Sequence, residues 1–196
     1  MNLLHPQIVY GYFACNSDKN DLIIYEQDGK TERLRFHFPR QTDKKRWCLS
    51  DFFLPRESGR TDVVAMQVAT AGTDVAAYEK ELFHSGDFTE YLYIHGMGVQ
   101  IAEALAEMWH KRVRQEWGLA TNDGPTMRDL FACHFTGCRY SFGYPACPNL
   151  EDEDKLFALL EPSRIGCTLS DSHMIQPEQS TSALICHHPQ ARYFNV

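Results

Sequence analysis

The chain has 196 residues, 43% of them hydrophobic, which is enough to bury a sizeable core, so we expect one folded domain covering residues 1–196. Its formal net charge of −7, without any lysine- or arginine-rich block, excludes a broad electrostatic contact with nucleic acid. No apolar run approaches the roughly 20 residues that span a bilayer, and the first residues lack the pattern of a signal peptide, so we expect a cytoplasmic protein that does not bind membranes.

The first part of the chain has the pattern of antiparallel strands. Residues 8–15 are apolar and aromatic, residues 22–25 are followed by an Asp28-Gly29 turn, and in residues 34–38 apolar and charged side chains alternate. The mostly apolar run 63–70 predicts a buried central strand.

From Asp74 the pattern becomes helical, and residues 88–117 carry apolar side chains at helical spacing. The stripe that contains Ile94, Ile101 and Leu105 predicts a long, well-buried helix. Glu103 lies nearly opposite this stripe, on a face that also holds small apolar residues. Its carboxylate is therefore either partly buried or, as for most helical glutamates, solvated.

The C-terminal third alternates linkers with short elements. Residues 118–125 predict a linker, and Asn149 is the expected cap of a helix whose first turn is acidic. Strands are expected near 165–169 and at 182–186.

A loop from Arg139 to Pro148, with the sequence RYSFGYPACP, combines a permanent cation with a constrained backbone. Arg139 offers a planar fork of donors that fits a carboxylate, and Gly143 allows a ligand to approach the main chain closely. Pro145 and Pro148 fix their own backbone angles. From these ten residues alone, a ligand-binding loop and an ordinary turn with an arginine on its rim are equally good interpretations.

The absence of several well-known motifs argues against some classes of functional site. Seven scattered cysteines without a CxxC pair argue against a disulfide framework and against a zinc site, so no metal is expected. The sequence also contains no nucleophile elbow, P-loop or dinucleotide fingerprint. The residues that remain as candidates suit the binding of an amino acid linked to a nucleoside. Arg139 could bind an acid group, and Asp51 and Glu103 could accept hydrogen bonds from amine or hydroxyl groups. Aromatic walls are available from Tyr144, Tyr193 and Phe194.

Several longer motifs occur in one order along nearly the whole chain. They are Gly11-Tyr12-Phe13 with Asn16-Ser17, Cys48-Leu49-Ser50-Asp51-Phe52, the helical run AEALAE at 102–107, the loop R-x-x-x-G-Y-P-A-C-P at 139–148, and His188-Pro189 before Tyr193-Phe194. On these motifs the chain resembles the S-adenosylmethionine-binding reactivation domain at the C-terminus of cobalamin-dependent methionine synthase. Such an ordered set is more specific than any one of its members.

The resemblance implies an α+β fold with a twisted antiparallel sheet, a long buried helix and additional helices. It also implies a function in methionine biosynthesis, in which a methyl group from S-adenosylmethionine and one electron from a flavodoxin-type or flavoprotein reductant convert cob(II)alamin back into methylcobalamin. Cobalamin would be bound by another module of the enzyme, which is the expected partner. The isolated chain would then be part of a methyltransferase and not a complete enzyme.

The resemblance also assigns ligand contacts to individual residues. Arg139 would pair with the methionyl carboxylate, Asp51 would take the amino group or a neighbouring donor, and Glu103 would accept from a polar ligand group. Tyr144 would stand near the sulfonium and the corrin face, which makes it the candidate for a role at the methyl transfer itself. The other implied ligand-binding positions are Gly143, Ala146, Tyr193 and Phe194.

The extent of the chain keeps a second hypothesis open. The chain starts just before the Gly-Tyr-Phe strand and stops soon after Tyr193-Phe194, so we expect a domain trimmed at both ends. The alternative is a stand-alone S-adenosylmethionine-binding or interaction protein that kept the fold without the reactivation chemistry, because these residues contain no cobalamin-binding module.

Overall fold

The computed structural model describes residues 3–43 and 45–196, without the side chains of Asn122 and Phe131, and these residues form eight strands and four α-helices. The strands are β1 (Gln7–Asp18), β2 (Asp21–Tyr25), β3 (Glu32–His37), β4 (Asp62–Thr70), β5 (Cys138–Tyr140), β6 (Thr168–Leu169), β7 (Ile175–Gln176) and β8 (Ser180–Cys186). The α-helices are α1 (Thr73–Ser85), α2 (Phe88–Glu116), α3 (Met127–Phe131) and α4 (Asp152–Leu160). Short 3-10 helices occupy Leu49–Phe52, Arg56–Ser58, Ala120–Asn122 and Pro162–Ile165.

Six strands form one sheet in the order β3-β2-β1-β4-β8-β5, and β6 pairs with β7 separately. The first three strands form the expected antiparallel meander, in which Cys15 lies opposite Ile24 and Leu22 lies opposite Phe36. Strand β4 is central, and its residues from Val64 to Thr70 are all buried. Such continuous burial is typical of a strand that is covered on both faces.

The described residues divide into two compact units. Of the described residues, unit 1 holds 3–10, 67–109 and 150–182, and unit 2 holds 11–43 with 45–66, 110–149 and 183–196. Each unit is therefore built from three separate stretches of the chain. Within the part of the chain that the structure describes, no helix is both long and apolar enough to cross a bilayer.

The long helix forms as expected, but the predicted buried face was wrong. The fully buried positions of α2 include Gly98, Ala102 and Ala106, whereas Met97 and Met108 are 40% and 57% exposed. The named residues of the predicted stripe, Ile94, Ile101 and Leu105, are only half-buried. Within unit 1 the buried face of α2 carries small side chains, which allow close approach to neighbouring elements, and the Gln67 amide of β4 donates to the Ala106 carbonyl oxygen over 3.0 Å. Nearer the C-terminal end of α2, larger side chains are buried, at His110, Val113 and Arg114.

Two local predictions were also wrong. Asn149 does not cap α4, because a turn in which the Glu153 N–H donates to the Leu150 carbonyl precedes the helix, and Glu151 occupies the cap position. The acidic first turn does lie at the positive end of the helix dipole, as expected. The strand expected near 165–169 is confined to β6, because the preceding residues form a 3-10 helix that ends at Gly166 with φ +78°.

A substitution at Gly98 tests whether α2 packs closely against Gln179 within unit 1. A Cβ atom at this position would lie 2.7 Å from Cγ of the buried Gln179, so Gly98→Ala should destabilise the protein by about 1–3 kcal/mol. The matched control is Gly96→Ala on the same helix, where a Cβ atom meets nothing within 4 Å. It should stabilise the protein by up to about 1 kcal/mol through helix propensity. Urea denaturation measures both effects, and equal stabilisation by the two variants would refute the close contact.

A second test concerns Glu153, which accepts a hydrogen bond from the Ser182 hydroxyl inside unit 1. Burial raises the pKa of Glu153 from 4.5 to about 7, and Asp152 and Asp154 act in the same direction. Between these pH values the folded protein holds a proton that the unfolded chain releases. The stability present at low pH should therefore fall as the pH rises through this interval, by about 1–3 kcal/mol.

Glu153→Gln should remove this slope, because the amide does not titrate. The free energy of unfolding measured as a function of pH checks the prediction, and Glu151→Gln, at an exposed neighbouring position, serves as the control. An unchanged slope in Glu153→Gln would assign the pH dependence to another group.

Candidate functional site

The loop that follows β5 is closed by its own hydrogen bonds. Arg139 pairs with Ile185 of β8, and Gly143 then turns the chain with φ +83°. The Gly143 N–H donates to the Cys147 carbonyl over 3.0 Å, and the Cys147 N–H donates to the Tyr144 carbonyl over 2.9 Å. The Cys147 thiol also donates to the Ser141 carbonyl over 3.0 Å. The positive φ is a conformation that glycine adopts without steric cost.

We call this loop the Gly143 loop (residues 139–148). Some of its side chains are buried and anchor it, and others are exposed. Phe142, Ala146 and Cys147 are buried, whereas Gly143 and Tyr144 are exposed, with Tyr144 57% accessible. The Arg139 side chain is half-buried at the start of the loop. The anchored residues attach the loop to unit 2 and leave its tip exposed.

An aromatic cluster formed by Phe52, Tyr140 and Phe194 connects the segments that carry the candidate residues. The ring centroids of Phe52 and Tyr140 are 6.2 Å apart, and Phe194 lies 6.0 Å from each of them. All three side chains are at most 5% exposed. Edge-to-face and stacked contacts at these distances add to the stabilisation that burial gives.

The hydroxyl of Tyr140 fixes the C-terminal segment to the same cluster. It donates to the Arg192 carbonyl over 2.9 Å, next to Tyr193 and Phe194. Burial raises the pKa of Tyr140 far above its ordinary value, so the phenol keeps its proton and remains a donor. Trp47 packs edge-on against Phe194 at 5.9 Å and closes one side of the cluster.

Asp51 lies in the 3-10 helix Leu49–Phe52 and already has two partners. Arg40 donates to both of its carboxylate oxygens, over 2.6 and 2.7 Å, and the Cys48 N–H donates to Oδ2 over 3.0 Å. The side chain of Asp51 remains 38% exposed. Because a carboxylate can accept about four hydrogen bonds, Asp51 keeps acceptor capacity towards solvent.

Unit 2 brings most of the expected ligand-binding residues onto one framework. Asp51, Arg139 and Tyr193 each stand next in sequence to a member of the aromatic cluster, and Phe194 is itself a member. Gly143, Tyr144 and Ala146 follow on the loop. Glu103 belongs to unit 1, where it is half-buried on α2, and its role towards a ligand stays a prediction.

Sequence reasoning missed Arg40 and Trp47. Arg40 holds Asp51 and also donates to the Asn20 side chain over 2.9 Å, although these three residues have no spacing that would reveal a contact. Trp47 could have been found from the sequence, because it is an aromatic residue directly before the Cys48-to-Phe52 motif. In the described ranges, 3–43 and 45–196, no group of three or more His, Cys, Asp or Glu side chains is arranged to hold a metal ion.

Comparison with known proteins gives consistent matches. The family model for the vitamin B12 dependent methionine synthase activation domain matches residues 1–196. The chain is 45% identical to methionine synthase of Mycobacterium tuberculosis and 42% identical to methionine synthase of Mycobacterium leprae, over 206 aligned positions in each case. These alignments cover 99% of the chain but 17% of each relative, so the chain spans a minor part of their length.

A solved structure is similar in fold as well. The crystal structure of the MetH reactivation domain bound to AdoHcy has a TM-score of 0.91 and 30% sequence identity to this chain, covering 98% of the chain and 62% of that structure. This likeness confirms the α+β fold expected from the sequence, with its antiparallel sheet and long helix.

The aromatic cluster predicts different effects for two tyrosines that differ by four positions. Tyr140→Phe should destabilise the protein by about 1–2 kcal/mol, because it removes the hydrogen bond to the Arg192 carbonyl inside unit 2. Tyr144→Phe is the matched control, since this ring is 57% exposed, and it should leave the free energy of unfolding within about 0.5 kcal/mol. Chemical denaturation measures both, and equal effects would show that the Tyr140 hydroxyl does not anchor the C-terminal segment.

Proposed function

Since the chain belongs to the activation-domain family of vitamin B12 dependent methionine synthase, we propose that it binds S-adenosylmethionine and presents the methyl group for the reactivation of methionine synthase. The observation that carries this proposal is the structural likeness to a reactivation domain bound to AdoHcy. AdoHcy is S-adenosylhomocysteine, the molecule that remains when S-adenosylmethionine has given up its methyl group. A groove that accepts one of these molecules therefore has the shape for the other.

Arg139 is the proposed anchor for the methionyl carboxylate. Its guanidinium offers a planar set of donors, and two parallel hydrogen bonds to a carboxylate fix the orientation of the ligand as well as its position. Strand pairing with Ile185 holds the backbone of Arg139, and its neighbour Tyr140 is buried. The cation is thus presented from a rigid element, which lowers the entropic cost of binding.

Tyr144 is proposed to face the sulfonium. The exposed ring stands at the tip of the Gly143 loop, and the face of an aromatic ring attracts a cation through its quadrupole. The positive charge is lost from sulfur when the methyl group leaves, so this contact orients the donor and does not itself transfer a proton. Tyr193, 55% exposed beside the buried Phe194, is proposed as a second wall, with the backbone of Gly143 and Ala146 close to the ligand.

Asp51 is proposed to accept from the amino group of the ligand or from a neighbouring donor. In the structure both of its oxygens bind Arg40, so the carboxylate is preoriented and partly neutralised before a ligand arrives. A ligand ammonium would add a further donor on the exposed side of this carboxylate. Arg40 is then a positioning residue that acts through Asp51.

In the whole enzyme, cobalamin held by another module would supply the reduced cobalt that accepts the methyl group, with one electron from a flavodoxin-type or flavoprotein donor. This chain would contribute the residues that bind S-adenosylmethionine and the exposed tip of the Gly143 loop. The cobalamin-binding module is accordingly its proposed partner. None of the proposed residues would act as a general acid or base, because the methyl transfer breaks a carbon–sulfur bond and moves no proton.

Calorimetric titration with S-adenosylmethionine tests the proposal directly. The chain should bind one equivalent, and Arg139→Ala should weaken binding by about ten- to a hundredfold, which corresponds to the loss of a charged hydrogen bond. Arg139→Lys should retain only part of the affinity, because an ammonium keeps the charge but lacks the fork.

Arg60→Ala is the matched control, since it removes an arginine from an exposed position of the same unit. It should change the affinity by less than about twofold, because a solvated charge is screened. Circular dichroism confirms that each variant is folded. A folded chain that fails to bind S-adenosylmethionine, or equal affinities of Arg139→Ala and Arg60→Ala, would contradict the proposed site.

A further inference from the structure

Two cysteines face each other across the strand pair formed by β5 and β8 in unit 2. Cys138 of β5 lies directly opposite Cys186 of β8 in the antiparallel register, and both are free thiols. Side chains at directly opposite positions of an antiparallel pair stand on the same face of the sheet. Neither thiol is among the residues proposed above to bind S-adenosylmethionine, so the pair has no part in that site.

The spacing of the two strands suits a disulfide. Directly opposite residues of antiparallel strands have Cα atoms about 4.5 or 5.5 Å apart, depending on the hydrogen-bond pattern, and disulfides join Cα atoms about 4.4–6.8 Å apart. A Cβ atom at Gly137 would lie 2.5 Å from the Cys186 carbonyl oxygen, so the two strands are in close contact at this end. Either hydrogen-bond pattern therefore places the two cysteines within bridging range.

The two thiols differ in exposure, which gives their oxidation an order. Cys138 is half-buried, whereas Cys186 is fully buried. A reagent in solution therefore reaches the sulfur of Cys138 first, and Cys186 can react only with a group that Cys138 already carries. Cys133, in the same unit, is exposed and competes for the same reagent.

The pKa values of the two thiols make this oxidation slow. Burial raises the pKa of Cys186 well above its ordinary value, and the neighbouring Cys138 acts in the same direction. Burial also raises the pKa of Cys138 from 9.0 to about 11. Because the thiolate is the nucleophile, both groups react slowly at neutral pH, and their oxidation requires sustained contact with an oxidant.

We propose that Cys138 and Cys186 form a reversible disulfide when a small disulfide in solution oxidises them. The Cys138 thiolate attacks one sulfur of the small disulfide, whose S–S bond breaks, and the released thiolate takes up a proton. Cys186 then gives its proton to solvent and attacks the Cys138 sulfur, and the second small thiol leaves. The net reaction oxidises two protein thiols to one disulfide and reduces one small disulfide to two thiols.

The bridge would fix the strand that carries Arg139. Successive side chains of β5 alternate between the two faces, so Cys138 and Tyr140 share one face and Arg139 lies on the other. Among the strands that the structure describes, β5 stands at the end of the six-stranded sheet and pairs with β8 alone. A disulfide would therefore hold this three-residue edge strand to its one neighbour. The modification is independent of the function proposed above and goes beyond it.

Incubation of the whole folded chain with oxidised glutathione, followed by acid quenching and tandem mass spectrometry, tests the proposal. Cys138 should be linked to Cys186, and a reducing agent should reverse the link. The rate of linkage should rise about tenfold per pH unit between about pH 7 and pH 9, because the thiolate fraction does so below a pKa of about 11. The oxidised chain should unfold at a higher urea concentration than the reduced chain, since the link restricts the unfolded state.

Two variants sharpen the result. Cys133→Ser removes the exposed competing thiol, and the rate of linkage should stay within about twofold of the original. Cys138→Ser should form no link to Cys186 and should lose the shift in urea, and the mapping on the unsubstituted chain decides even if this variant does not fold.

Three outcomes would each overturn the proposal. They are a link between Cys138 and Cys133, a link between Cys138 and Cys186 that forms only in urea, and a folded chain in which Cys133 carries glutathione while Cys138 and Cys186 stay free. None of these measurements depends on S-adenosylmethionine, so failure here is distinct from failure of the proposed function.

Discussion

The packing of Phe52, Tyr140 and Phe194 against one another is the contact on which the candidate site depends. These rings come from three stretches of the chain, and each is buried directly beside an exposed or half-exposed residue with a proposed ligand role. Asp51 precedes Phe52, Arg139 precedes Tyr140, and Tyr193 precedes Phe194. Arg139 and Tyr140 belong to strand β5, where successive side chains point to opposite sides, so burying Tyr140 directs Arg139 away from the cluster. Asp51 and Phe52 share a 3-10 helix, in which Phe52 is buried and Asp51 stays partly exposed. The contacts that pack this core therefore also determine where the three residues with a proposed ligand role stand.

The sequence predicts more of the architecture than of the contacts within it. Strand periodicity located β1 to β4 and the last strand, and helical periodicity located α2 almost to its ends. The buried face of α2 was assigned wrongly because side-chain size was taken as the sign of burial. The decisive property is how closely a helix can approach, and at Gly98, Ala102 and Ala106 this favours the smallest side chains.

For the candidate site, the sequence reveals features that depend on neighbouring residues and does not reveal contacts that depend on the fold. The Gly143 loop could be located because glycine, proline and arginine occur together within ten residues, and only the ordered set of motifs connected that loop with Asp51 and Tyr193. The ion pair between Arg40 and Asp51 depends on how two irregular segments fold towards each other, and neither residue has a pattern that reveals this. The same applies to Glu79 and Gln179, which are 100 positions apart and meet only in the folded chain.

The thiol of Cys147 gives the Gly143 loop a built-in reporter of its own opening. The side chain is buried and its hydrogen bond to the Ser141 carbonyl lies inside the closed loop, whereas Cys133 in the same unit is exposed. An alkylating reagent can reach the sulfur of Cys147 only when the loop has opened, because a buried group reacts through local unfolding. The rate of alkylation at this cysteine, relative to that at Cys133, thus measures how often the exposed tip of the Gly143 loop is released from its anchor. Any ligand that rests on the closed loop will slow that chemistry in proportion to its occupancy.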